Sequence, residues 1–400
     1  MKKITLLLVA VAATMSASAQ YYQDAVNKEM LHIRQPRTVQ RSEFTVPAID
    51  GYTAFKADLH THTIFSDGHL SMESRIREAW KDGLDVMAVT EHLEYRPHEK
   101  NLVKYMEGGY IAKGTKAKAN SFVSKNEPAK GEIQVNLNFP VELATQIAKD
   151  YDMTIIPGIE ITRKPDGVYT HLNALFTKDN NTIYDPDPMQ STRNAKAQGA
   201  LIMHNHPGWM RTDMKPSKFD KAIYKEGLVD GIEIMNGIEF YPKAITRAKE
   251  LNFFMSANTD AHHPTAERYA EYGEARNMTI IFAKDKSLAS LREALEARRT
   301  LACSFGVLAG DEALLRKVFE ASVSVRRISD NAKGRKQIVV TNNSSIRWII
   351  AREGQRTEEL RPHSSQIFVE SKSKDNSATL LNTWYGENSH IIVDLFGLAK

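Results

Sequence analysis

Phe55-Lys56-Ala57-Asp58-Leu59-His60-Thr61-His62-Thr63 is a strand-like apolar run that ends on two histidines two residues apart, and its reading decides the fold of this 400-residue chain. In a strand, residues i and i+2 point to the same side, so His60 and His62 can approach one centre. Outward from this stretch the same arrangement repeats: an apolar run, then polar ligand-type residues, then a turn or the start of a helix. Asp67 follows the first pair, Glu91-His92 follow the run 86–89, and Glu160 follows the run 153–156. His171 lies within 168–176, His204-Asn205-His206 follow 201–203, and Asp260-Ala261-His262 follow 253–257. By the same spacing His206 should share a face with His204, and His262 with Asp260. Ten of the thirteen histidines lie from His60 to His263, a regional enrichment rather than surface scatter. Imidazole and carboxylate together are the donor set of Zn, Mn and Fe sites.

Between the runs, segments 72–81, 140–149, 187–198 and 242–251 carry helical periodicity, and strands alternating with amphipathic helices predict parallel βαβ units. Further strands at 231–235 and 278–282 bring the count to about seven or eight, which suits a closed barrel better than an open sheet. In such a barrel the C-terminal strand ends converge on one mouth. His60 and Asp260, 200 positions apart, can therefore meet.

At this point the chain resembles the PHP (polymerase and histidinol phosphatase) superfamily of metal-dependent phosphoesterases. The resemblance rests on Asp58-Leu59-His60-Thr61-His62-Thr63 with Ser66-Asp67-Gly68, Val89-Thr90-Glu91-His92, Pro157-Gly158-Ile159-Glu160, His171, His206-Pro207 and Thr259-Asp260-Ala261-His262, in that order. It covers about 55–303. It implies an α/β fold, a distorted (β/α)7 barrel, holding two or three divalent ions (Zn, Mn or Fe). Carried over motif by motif, His60, His62, Glu160 and Asp260 would hold one ion, and Glu160 would bridge to a second held by His171 and His206. Asp67, His92 and His262 would hold the third. Glu91 stands where many relatives have aspartate and is expected to sit behind the ligands. His204 is not required by the motif; contact with substrate and a packed, hydrogen-bonded role both remain open.

The implied chemistry explains the ligand number. A phosphate ester repels nucleophiles, so its site must neutralise charge and generate hydroxide at neutral pH; two metals roughly 3.5–4 Å apart can do both. The nucleophile is then solvent, a hydroxide held at Glu160, His60, His62 and Asp260. No Gly-x-Ser-x-Gly elbow exists, and the single cysteine, Cys303, has no catalytic motif around it. Arg96, Arg163 and Arg211 follow metal clusters, and arginine suits phosphate oxygens. Arg96 and Arg211 are the chosen candidates for substrate binding, with His204, and Asn236 is a candidate for the mouth.

The first residues set the expected location. Lys2-Lys3, the apolar run 4–13 and Ala17-Ser18-Ala19 read as a secretory signal peptide over 1–19, so the protein is expected to be exported into a bacterial periplasm. That run is too short for a stable membrane span. Removing Lys2 and Lys3 lowers the formal charge of +4 to +2, too little to argue for a nucleic-acid polymer as partner; a small phosphorylated substrate is expected instead. Nothing in the sequence specifies an oligomeric state. Residues 20–51 read as a polar leader, 52–309 as the barrel with an insertion at about 100–140, and 310–400 as a small all-β, sandwich-like domain of short strands between Asn, Gly and Ser turns. Trp348 and Trp384 of that domain are expected in its core. Two ester classes stay open, a diester being favoured over a monoester of a nucleotide or sugar, and a non-catalytic metal-stabilised binding protein stands as a third reading.

Overall fold

The computed structural model describes residues 21–34, 38–99, 101–102, 122–124, 127–128, 135–371 and 375–399. The expected signal peptide and most of the 100–140 insertion lie outside these residues. Up to Arg41 the described residues form one unit, in which Tyr22–Gln23 pairs antiparallel with Leu31–His32. Residues 42–400 form the second, so the leader expected over 20–51 divides: Ser42 donates to Lys81 O, and Thr45 exchanges hydrogen bonds with Ser345.

In chain order the main elements of this second unit are β1 (Thr53–Asp58), α1 (Met72–Lys81), β2 (Val86–Val89), α2 (Phe139–Ala148), β3 (Thr154–Arg163), β4 (Thr170–Leu175), α3 (Pro188–Ala197) and β5 (Leu201–His204). They continue with α4 (Lys218–Lys225), β6 (Gly231–Asn236), α5 (Pro242–Leu251), β7 (Phe254–Asn258), β8 (Met278–Ala283), α6 (Leu288–Glu296), β9 (Thr300–Ser304) and β10 (Val307–Gly310). Local chemistry explains the helix starts. The Ser71 hydroxyl caps α1 by accepting from Ser74 N–H, Ser217 and Asp220 form a reciprocal box on α4, and Pro242 opens α5. Each helix buries one stripe, as Met72, Ile76 and Ala79 do on α1.

The sheet is mixed, which corrects the expectation of parallel units throughout. Pairs β1–β2, β2–β3, β5–β6 and β6–β7 are parallel, whereas β3–β4, β4–β5, β1–β8, β8–β9 and β9–β10 are antiparallel. Between β3 and β4 the cause is plain. Their connection is a turn around Pro165–Gly167, too short for the crossover that parallel strands need. The sheet curls into a half-barrel rather than closing through a continuous ladder. Where β7 approaches β1 and β8, side chains bridge the gap: Asn258 Oδ1 accepts from Leu59 N–H at 2.8 Å and Thr279 Oγ1 from Ala257 N–H at 3.1 Å. Leu59, Ala88, Ile156, Met203 and Phe254 fill the interior.

Beyond Gly310 the structure adds a helix that the strand-like reading did not expect, α7 (Glu312–Ser322). Asp311 caps it by accepting from Leu314 N–H, and Leu315, Val318 and Phe319 bury one face. The expected short strands follow as a three-stranded sheet, β11 (Val323–Ile328), β12 (Gln337–Asn342) and β15 (Ser365–Val369). A four-stranded sheet is made by β13 (Trp348–Arg352), β14 (Glu358–Leu360), β16 (Ser377–Leu380) and β17 (Ile391–Asp394). Thr383–Trp384 pairs parallel with β10, which hydrogen-bonds this region to the barrel sheet. Among the described residues no helix is long and apolar enough to cross a membrane.

Trp348 is fully buried and meets Phe319 edge-on at 5.0 Å, joining β13 to α7. Truncating so large a core side chain leaves a cavity that cannot collapse. Trp348→Ala is therefore expected to lower unfolding free energy by about 3–5 kcal/mol in urea titration. A loss under about 1 kcal/mol would mean that this contact does not hold helix and sheet together.

Candidate metal centre

The chain leaves β1 at Asp58 and carries His60 and His62, both fully buried, toward one point. His60 Nε2 lies 3.3 Å from Asp260 Oδ1 and 3.4 Å from Glu160 Oε1; His62 Nε2 lies 3.1 Å from Asp260 Oδ1 and 3.6 Å from Glu160 Oε2. Glu160 stands inside β3, not at its end, because the strand runs on to Arg163. On the antiparallel neighbour β4, His171 pairs with Thr162, two residues from Glu160 on the same face, and brings its Nδ1 to 3.2 Å from Glu160 Oε1. His206 Nε2 reaches 3.9 Å from Glu160 Oε1 and 3.8 Å from Asp260 Oδ2. The two Glu160 oxygens therefore face different partners: Oε1 faces His60, His171 and His206, whereas Oε2 faces His62 and His92.

A second focus lies beside the first. Asp67 Oδ1 is 3.2 Å from His92 Nε2, 3.0 Å from His262 Nε2 and 4.0 Å from His62 Nδ1. Gly68 lets the loop fold this tightly, since a Cβ there would stand 2.7 Å from the backbone of His62 and Thr63. Three sets of donor atoms each fall within 4.8 Å of one another: His62, Asp67, His92 and His262; His60, Glu160 and His206; and His60, His62 and Asp260. His60 Nε2, His62 Nε2 and Asp67 Oδ1 are buried, and their close contacts with the surrounding carboxylates and imidazoles lack hydrogen-bond geometry. Buried lone-pair atoms turned toward a common space fit divalent cations of the N/O-ligand class.

Mutual charge sets the protonation of this cluster. Burial opposes charge on His60, yet Asp260, Glu233 and Glu160 hold it well above the usual imidazole range, and Asp67 and Glu160 do the same for His92. Burial likewise opposes ionisation of Glu160 and Asp260, but the surrounding histidines hold both well below the carboxylate range. His62 and His206 are pushed down to about 3 and about 4, first by burial and then by neighbouring imidazoles.

The expected substrate contacts do not reach this space. Arg96 is buried and bound to Glu99 and to the Leu93 carbonyl, Arg163 pairs with Glu94 at 2.7 Å, and Arg211 pairs with Asp220 at 2.6 Å. These arginines answer buried carboxylates, a use that chain position alone does not distinguish from phosphate binding. His204 is fully buried with Nδ1 2.5 Å from the Tyr224 hydroxyl, so it faces α4. The backbone leaves the strand between the two histidines, His206 having φ of 25°, and the i, i+2 rule fails there. Asn236 donates to Glu233 at 2.9 Å and is buried. Glu91 sits behind the ligands as expected, accepting from Thr63 N–H and from the hydroxyls of Thr63 and Ser66.

Sequence reasoning missed the layer that orients the ligands. Glu233 accepts from or faces His60 Nδ1 at 3.0 Å, and it also accepts from His206 N–H and from the amides of Asn236 and Asn258. Asn205 donates to Glu160 Oε1 at 2.9 Å and to Asn173. Asp58 accepts from Thr259 and Arg276, tying the start of the His60 segment to the start of the Asp260 segment. A signal existed for Glu233: it is a charge in the middle of the otherwise apolar Ile232-Glu233-Ile234 run of β6.

The chain is matched over residues 58–280 by the model of the PHP domain. Its structure is similar to that of a two-domain protein from Bacteroides vulgatus described as containing a predicted PHP-like metal-dependent phosphoesterase, with 32% identity, 88% of this chain and 98% of that chain covered, and a TM-score of 0.75. A weaker likeness is to a putative metal-dependent phosphoesterase from Bifidobacterium adolescentis, with 15% identity, 52% and 88% covered, and a TM-score of 0.36. Among curated protein sequences none matches.

Two outcomes test the centre. Glu233→Gln removes the charge behind His60, so metal affinity by calorimetry should fall by roughly 10- to 100-fold with the fold intact; unchanged affinity would sink this role for Glu233. Separately, His60 and His92, held well above the usual imidazole range by neighbouring carboxylates, stay protonated to higher pH than free imidazole, so protons compete with the ion. Metal affinity should therefore rise with pH through the neutral range, with proton release on binding. An affinity flat from acid to neutral pH would contradict it.

Proposed function

Because the chain belongs to the PHP family of metal-dependent phosphoesterases, we propose that it is an exported hydrolase acting on a phosphodiester of a small organic molecule or nucleotide. Under this reading His60, His62, Glu160 and Asp260 would hold one ion, His171 and His206 would share Glu160 with a second, and Asp67, His92 and His262 would hold a third. Bound ions of this kind neutralise the phosphate oxygens and lower the pKa of water to near neutrality. The chain's own residues do the rest. Glu160 would be shared between ions because its Oε1 faces His60, His171 and His206 while its Oε2 faces His62 and His92, and Glu233, Asn205 and Glu91 keep these side chains from turning.

The observation that carries the diester over the monoester is the fate of the arginines. A monoester dianion calls for cations aimed at the cluster, whereas Arg96, Arg163 and Arg211 turn to Glu99, Glu94 and Asp220, and Arg268, at the rim of the cavity beside His262, donates to the Thr259 carbonyl. A diester has one non-bridging charge and two arms, and the cluster is flanked on two sides. Tyr169 and Trp209 stand beside His171 and His206, while beside His262 opens a cavity of about 310 Å³ bordered by Ile238, His263, Arg268 and Tyr272. Export rests on the basic, apolar and small-residue order of residues 1–19.

The test compares bis-p-nitrophenyl phosphate with p-nitrophenyl phosphate, using protein from Gln20 onward with Mn or Zn added and with chelator. Chelator-sensitive turnover favouring the diester is expected. Turnover of the monoester alone would overturn the diester assignment, and chelator-insensitive turnover would overturn the metal mechanism.

A further inference from the structure

Resting on that reading, we propose that Trp209 forms a stacking subsite for one ester arm, with Tyr169 at its edge, and that this arm carries a nucleobase. Both residues are half-buried at the cluster's edge, unlike Trp348, which is fully enclosed. The Trp209 ring centroid is 5.5 Å from that of His171, 5.3 Å from that of His206 and 5.0 Å from that of Tyr169. A base stacked on Trp209 and edge-on to Tyr169, whose ring plane is inclined at 61° to that of Trp209, therefore lies within the span of a sugar from a phosphate held at His171 and His206. Lys164 places Nζ 4.3 Å over the Tyr169 ring, adding positive charge beside the aromatic surface.

The pair is held in place by the residue that sequence reasoning assigned to phosphate. Arg211 donates to the Tyr169 carbonyl at 2.6 Å, to Thr170 Oγ1 at 3.1 Å and to Asp220 at 2.6 Å, so it ties the loop that carries Trp209 to the start of the strand that carries His171. Within that loop Trp209 N–H donates to His206 O. Gly208 allows the close approach, since a Cβ there would stand 2.7 Å from Tyr241 and Met214. The Trp209 backbone is thus fixed from both sides while its ring borders the ligands. Such a fixed ring gives up little freedom when a base stacks on it.

Two diesters with one leaving group separate this proposal from the reading beneath it: thymidine 5′-(p-nitrophenyl phosphate) and methyl p-nitrophenyl phosphate. Trp209→Ala should raise KM for the thymidine diester roughly 5- to 150-fold and leave the methyl diester within about twofold. Trp209→Phe should recover most of the loss. An equal effect on both diesters, or none on either, would overturn the stacking subsite while leaving the diesterase reading in place. If neither diester turns over, the diesterase reading falls by itself, and the subsite is read by calorimetry with Mn-loaded protein. There, thymidine 5′-phosphate should bind more tightly than methyl phosphate to the native chain and equally to Trp209→Ala; equal binding by the native chain would overturn it.

Discussion

Glu160 is a carboxylate with no exposure in the interior of a strand, and most of the barrel's polar arrangement follows from having to answer its charge. Ionised carboxylates taken out of water cost several kcal/mol unless they are paired and hydrogen-bonded. Here the answer comes from His60, His62, His92, His171 and His206, delivered by different parts of the chain, and from the Asn205 amide. Because both Glu160 oxygens are engaged, Oε1 by His60, His171 and His206 and Oε2 by His62 and His92, one residue gathers five imidazoles. The strands then have to arrive in register, and the antiparallel β3–β4 pair does this by placing His171 diagonally across from Glu160.

The same demand spreads outward. His60 needs Glu233 behind it, and Glu233, once buried, needs the amides of Asn236 and Asn258 and the His206 N–H. Asn258 also accepts from Leu59 N–H through its oxygen and so helps to join β7 to β1 where no continuous ladder does. A buried polar network of this kind is stable only when its members are satisfied, which is why few of them can be exchanged singly. The left-handed backbone at His206 and Asp260 belongs to the same logic: both residues leave their strands by a sharp turn that aims a ligand inward, at the cost of local strain.

The convergence of the histidine and carboxylate clusters was legible in the sequence because metal-type donors are few residue types that recur at short spacings. His60 and His62 converge as a strand's alternation requires, and the clusters around Glu91, Glu160 and Asp260 meet at one mouth. Spacing failed where the backbone stops being a strand, so His204 points to Tyr224 while His206 points to the cluster. Strand direction was not legible either, since alternating periodicities do not say whether the return is parallel; the short Pro165–Gly167 turn decides β3–β4. The pairing of the arginines is hidden from the sequence for a related reason. A buried Glu94, Glu99 or Asp220 that captures the guanidinium is visible only once tertiary contacts are known. Beyond Gly310, α7 has the apolar stripe Leu315, Val318, Phe319 of a helix, which the run of short strand signals after it obscured.

The withdrawal of the arginines has a consequence for charge at the mouth. The three carboxylates assigned as ligands, Asp67, Glu160 and Asp260, offset part of the charge of any bound ions. No guanidinium adds to that balance from Arg96, Arg163 or Arg211, so the charge of an ester is met at the cluster itself, where Asp67 is held low by His92 and His262 against the opposing effect of burial.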